Sequence, residues 1–168
     1  LDRLYRSLGF HDVPQINLPV AEALADTNLE EITSAVVVNE KLRISPLQMV
    51  LAASAMTNQG EMHAPWLAAA VNTPHQGWVV LPSAYSKRLL DMTHLSDSIS
   101  TLAGEGSLFW QTTALAYSAD EPLTWFVGGT VPDWSGAPLA VALIIEEDNP
   151  RLARTIGESV LQAAMNPH

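Results

Sequence analysis

The sequence predicts a single α+β domain, in which an antiparallel β-meander of about three strands packs against helices that include the C-terminal helix. Helical signals dominate the first half of the chain, three strand-like runs follow between about residues 107 and 146, and an amphipathic helix comes last. The chain has 168 residues, of which 48% are hydrophobic. It is therefore long enough and apolar enough to bury a core.

Two helices are predicted in the first half. Residues 1–8 carry apolar side chains at helical spacing, and Gly9 suits a helix end. The stronger signal begins at Ser45, because serine is a favoured N-cap and Pro46 suits the first helical position. This helix should end near Gly60, where a positive φ is accessible.

The middle of the chain is predicted as an extended segment over residues 62–82 and a helix from Ser83 to about His94. Residues 96–106 are polar and contain glycine, which indicates a loop. The five tryptophans are expected to lie mainly in the core, with Trp134 partly exposed in a loop.

The meander is predicted from strands at about 107–117, 123–129 and 138–146. The last of these, "LAVALII", is apolar on both faces, which favours a central strand. Asn149-Pro150 then marks the start of the final helix.

Composition excludes several classes of function. Eight Lys and Arg stand against 18 Asp and Glu, a net charge of −10, which argues against nucleic acid and against an anionic membrane surface as partners. The absence of cysteine excludes disulfides, thiolate metal sites and cysteine nucleophiles. The chain does not begin with Met, so we expect a fragment whose targeting or membrane-anchoring segment lies elsewhere.

Six phrases occur in an informative order along the chain, namely "LGFHDVPQINLPVAEA", "ISPLQMVLAASAMTNQGEMHAPWL", "LPSAYSKRLLDMT", "WQTTALAYS", "TWFVGGTVPD" and "LAVALIIEEDNP". As an ordered set they resemble the C-terminal half of the transpeptidase domain of penicillin-binding proteins. The resemblance implies a partial β-lactamase/transpeptidase-like fold. It also implies that residues 1–168 form one transpeptidase-like domain or the C-terminal part of one.

The resemblance implies three catalytic motifs. S-x-x-K pairs a serine nucleophile with a lysine, S-x-N relays protons, and K-T-G on a strand holds the substrate carboxylate. Neither Lys41 nor Lys87 has a serine three positions before it, and no asparagine has a serine two positions before it. In the family these two motifs lie upstream of the part that this chain matches.

The K-T-G motif falls inside the chain, where the matching strand carries Trp110, Gln111, Thr112 and Thr113. An indole replaces the lysine and cannot carry its charge, which removes a charge-assisted contact of about 1.5–3 kcal/mol. A threonine replaces the glycine and crowds the strand edge. The sequence therefore predicts a degenerate K-T-G strand and no catalytic residue in this chain.

We interpret the chain as a non-catalytic transpeptidase-like domain that binds or scaffolds in peptidoglycan synthesis, in an extracytoplasmic and membrane-anchored protein. One alternative is the C-terminal half of an active D,D-transpeptidase whose S-x-x-K and S-x-N lie on a missing upstream segment. Another is an unrelated α+β interaction domain.

No cofactor and no metal are expected, because Glu61-Met62-His63 is only a partial ligand set. The expected partners are peptidoglycan or cell-wall synthesis proteins. The family's sheet is completed by N-terminal strands, so the meander should have an uncovered edge. Another copy of the chain, residues 1–40 or a further segment would then cover it.

Overall fold

The computed structural model describes residues 2–10, 44–81, 86–89, 92–118 and 121–166. Within these ranges the helices and strands are, in chain order, α1 (Asp2–Ser7), α2 (Pro46–Thr57), β1 (Glu61–Met62), β2 (Ala70–Thr73), β3 (Gly77–Val80), β4 (Lys87–Arg88), α3 (Met92–Ala103), β5 (Phe109–Ser118), β6 (Glu121–Thr130), β7 (Ala140–Ile145) and α4 (Pro150–Met165). None of the described helices is long and apolar enough to cross a membrane.

The central sheet is the predicted antiparallel meander, in the order β5-β6-β7. Its first two strands form a long hairpin, in which Trp110 of β5 pairs with Gly129 of β6. On the other side of β6, Phe126 pairs with Leu143 of β7. Helices α2 and α3 pack on one face of the sheet and α4 on the other. The fold class and the three strands are thereby confirmed.

Strand β7 is the last strand of the meander in chain order. It is covered on both faces, by α2 and α4, as its apolar sequence indicates. Among the described strands it pairs with β6. Burial of the two faces and pairing of the two edges are independent properties, and the hydrophobic pattern reports only the first.

Local sequence signals set the start of α2. Ser45 Oγ accepts a hydrogen bond from the Gln48 backbone N–H at 3.2 Å, and Gln48 Oε1 accepts one from the Ser45 N–H at 2.9 Å. This capping box fixes the helix at the predicted residue. The buried Gln48 amide also donates to the carbonyls of Gly9 and Phe10, which ties the end of α1 to α2.

The start of α4 is fixed from the sheet as well as by its cap. Asn149 Oδ1 accepts from the Leu152 N–H at 3.0 Å, as the predicted N-cap should. The buried Thr124 hydroxyl of β6 donates to the Glu147 carbonyl at 2.7 Å and accepts from the Asn149 N–H at 3.0 Å. The helix therefore begins at a defined point above β6.

Two predictions in the middle of the chain are wrong. The helix assigned to Ser83–His94 is replaced, over the residues described there, by β4 and the first turn of α3, and α3 occupies most of the predicted loop 96–106. Leu95 and Ile99 are buried at helical spacing and, with Leu102, pack around Trp110. Tertiary burial of this narrow stripe overrides the polar, loop-like composition of the other positions.

The extended segment 62–82 forms a hairpin instead of one continuous strand. β2 pairs with β3 antiparallel, and Gly77, with φ of +68°, closes the turn. Trp66 and Trp78 are exposed, Trp78 by 73%, which contradicts their expected place in the core. Trp134 is half-buried, as predicted. Predicted features within residues 11–43 lie outside the described part of the chain.

Candidate functional site

The four residues that the resemblance matches to the K-T-G strand lie on β5 and alternate between the faces of the sheet. Trp110 and Thr112 are on the face covered by α2 and α3, and Gln111 and Thr113 are on the α4 face. This alternation follows from the two-residue period of a strand. The structure therefore divides the motif into two pairs with different surroundings.

Trp110 is a core residue, with 1% of its surface exposed. Its indole packs against a buried cluster that includes Ala53 of α2 and Leu95 and Ile99 of α3. The indole N–H donates a hydrogen bond to Thr57 Oγ1 at 3.2 Å. A buried indole that also satisfies its polar N–H is a stable arrangement, and it fills the interior position where the resemblance implies a lysine.

A glycine on the neighbouring strand makes room for this pair. Gly129 lies opposite Trp110, and a Cβ there would meet Thr57 Oγ1 well inside contact distance and the Leu139 carbonyl oxygen at 2.7 Å. Any side chain at Gly129 would thus displace Thr57 or the backbone. The close approach of α2 to the sheet depends on this glycine.

Gln111 points to the opposite face. Its amide N–H donates to Glu158 Oε1 of α4 at 2.6 Å, a charge-assisted hydrogen bond between sheet and helix. Its Oε1 is buried and accepts no hydrogen bond from the described residues. The interaction joins two elements in the fold and directs no donor to the face that carries Trp110.

The remaining two positions of the four carry threonine. Thr112 is exposed on the α2/α3 face, and Thr113 is half-buried on the α4 face opposite Phe126. Thus Thr112 is the accessible member of the four, and it is neutral. The arrangement offers a hydroxyl at this surface and no charge that would hold a carboxylate.

The partial ligand set Glu61-Met62-His63 does not come together as a metal centre. Glu61 accepts a hydrogen bond from Ser86, and the His63 ring contacts the Asn58 side-chain amide nitrogen at 2.8 Å. Across the described ranges, no group of three or more His, Asp or Glu could hold a metal ion. The two side chains therefore have separate, local partners.

Sequence reasoning missed the partners of the motif. Thr57 and Glu158 are 53 and 47 residues away from Trp110 and Gln111 respectively. Neither belongs to a local pattern that would associate it with β5. Gly129 carried a weak signal, as one of two consecutive glycines inside a strand, which indicates close approach of another backbone or side chain.

Comparison with known proteins identifies the architecture. No protein-family profile matches the chain, and no curated protein matches it. Solved structures do. Penicillin-binding protein A from M. tuberculosis, solved as an imipenem acyl-enzyme complex, superposes with a TM-score of 0.76 at 21% identity over 98% of this chain. The chain has the fold of penicillin-binding protein transpeptidase domains.

Two further structures agree. Penicillin-binding protein 3 from the same species gives a TM-score of 0.75 at 15% identity over 96% of the chain. The D,D-transpeptidase domain of a peptidoglycan glycosyltransferase from Eggerthella lenta gives 0.73 at 18% identity, also over 96%. The chain spans only 41%, 45% and 46% of these three proteins in turn. The fold implied by the resemblance is confirmed.

Proposed function

We propose that this chain belongs to a non-catalytic transpeptidase-like domain of a cell-envelope protein, which binds or scaffolds in peptidoglycan synthesis. The observation that carries the proposal is the place of Trp110. At the position of the K-T-G lysine it offers no positive charge, and its indole is buried in the core and hydrogen-bonded to Thr57. The transpeptidase fold supplies the context for reading that position as a former catalytic one.

The chemistry supports loss of function at this strand. A K-T-G lysine attracts a substrate carboxylate across a partly desolvated site, where a charge-assisted hydrogen bond contributes about 1.5–3 kcal/mol. An indole buried in the core cannot substitute for it. Restoring the lysine would place an ammonium group among Ala53, Leu95 and Ile99, with one hydroxyl nearby.

Fluorescent penicillin tests the proposal. The product of the complete reading frame should show no covalent labelling and no acylated serine by mass spectrometry. Penicillin-binding protein A from M. tuberculosis, which forms acyl-enzymes with imipenem and ceftriaxone, is the positive control. A labelled serine in the product would overturn the proposal.

A second candidate is the C-terminal half of an active D,D-transpeptidase. It is favoured by the partial coverage, since the chain matches fewer than half the residues of each relative, and by the absence of S-x-x-K and S-x-N from these 168 residues. This candidate predicts both motifs upstream in the reading frame, together with labelling of the S-x-x-K serine. It also requires a carboxylate-binding group other than a K-T-G lysine.

We further propose an extracytoplasmic location and cell-wall synthesis proteins or peptidoglycan as partners. The support is the fold shared with penicillin-binding proteins and with the D,D-transpeptidase domain of the peptidoglycan glycosyltransferase from Eggerthella lenta. Fractionation of the native host with an antibody to residues 1–168 checks the location. Recovery in the cytosol alone would contradict it.

A further inference from the structure

We draw no further inference here: the strongest candidate, the exposed apolar surface of the β2–β3 hairpin around Trp66, Trp78 and Val80, carries none because nothing in the structure shows what covers it.

Discussion

On the α4 face of the sheet, Phe126 lies fully buried against Gly157, and the contact is entirely apolar. On the opposite face, Trp110 is buried as deeply, but its indole N–H is held by Thr57 from α2. The Phe126 contact needs only volume and shape. The Trp110 contact needs volume and a polar partner, and it lies on the face where the resemblance implies the K-T-G lysine.

Under the proposal of a degenerate K-T-G strand, this difference explains how the lysine could be replaced while the fold is kept. A lysine on the α2/α3 face needs solvent or a carboxylate, whereas a tryptophan closes the same position with core packing and one hydrogen bond. The contrast between the Trp110 and Phe126 contacts predicts that polar and steric substitutions lower the free energy of unfolding by different amounts on the two faces.

The largest effect is expected for Trp110→Lys. It removes a buried indole and leaves an ammonium group in an apolar cluster, so the free energy of unfolding should fall by about 4 kcal/mol or more. Urea denaturation measures this, with Trp110→Phe as the control that keeps an aromatic ring. A loss below about 1 kcal/mol would mean that the position is accessible to solvent, and would weaken the proposal of a closed site.

Gly157→Ala tests the apolar face. A Cβ at Gly157 would overlap the Phe126 ring at three atoms, so the ring must move, and we expect a loss of about 2 kcal/mol. On an exposed helix position the same substitution would stabilise by about 1 kcal/mol, which makes the sign diagnostic. Ser159→Ala on the same helix is the matched control and should lie within about 0.5 kcal/mol of the parent.

The smallest effect is expected for Thr57→Val, which preserves shape and removes the acceptor of the Trp110 N–H. The unpaired indole N–H should cost about 1 kcal/mol. A double-mutant cycle with Trp110→Phe isolates the interaction, and it should give a coupling of similar size. Purely additive losses would show that the 3.2 Å hydrogen bond contributes nothing to stability.

Several elements were predictable because their signals are local. Ser45 and Gln48 form a capping box, and Pro46 stands at the start of the helix, so neighbouring residues determine where α2 begins. Asn149-Pro150 does the same for α4, and the three strands of the meander follow from β-rich runs between turns. The order of these signals also carried the resemblance that implied the fold.

Other elements were not predictable because their cause is distant. Helix α3 is stabilised by burial of Leu95 and Ile99 against Trp110, although most of its other residues are polar. The exposure of Trp78 follows from a hairpin that makes no extensive contact with another described helix or strand. In both cases the composition predicted the opposite result. Burial depends on which elements pack nearby, and composition does not report that packing.

The candidate site shows the same division. By itself the sequence determined that the residue which the resemblance matches to the K-T-G lysine is a tryptophan, and that Trp110 and Gln111 alternate across β5, because residue identity and strand periodicity are local properties. Only the tertiary structure decided that Trp110 is sealed against Thr57 and that Gln111 bonds to Glu158 of α4. Those outcomes depend on which surfaces meet across roughly fifty residues of chain, and no local pattern encodes that meeting.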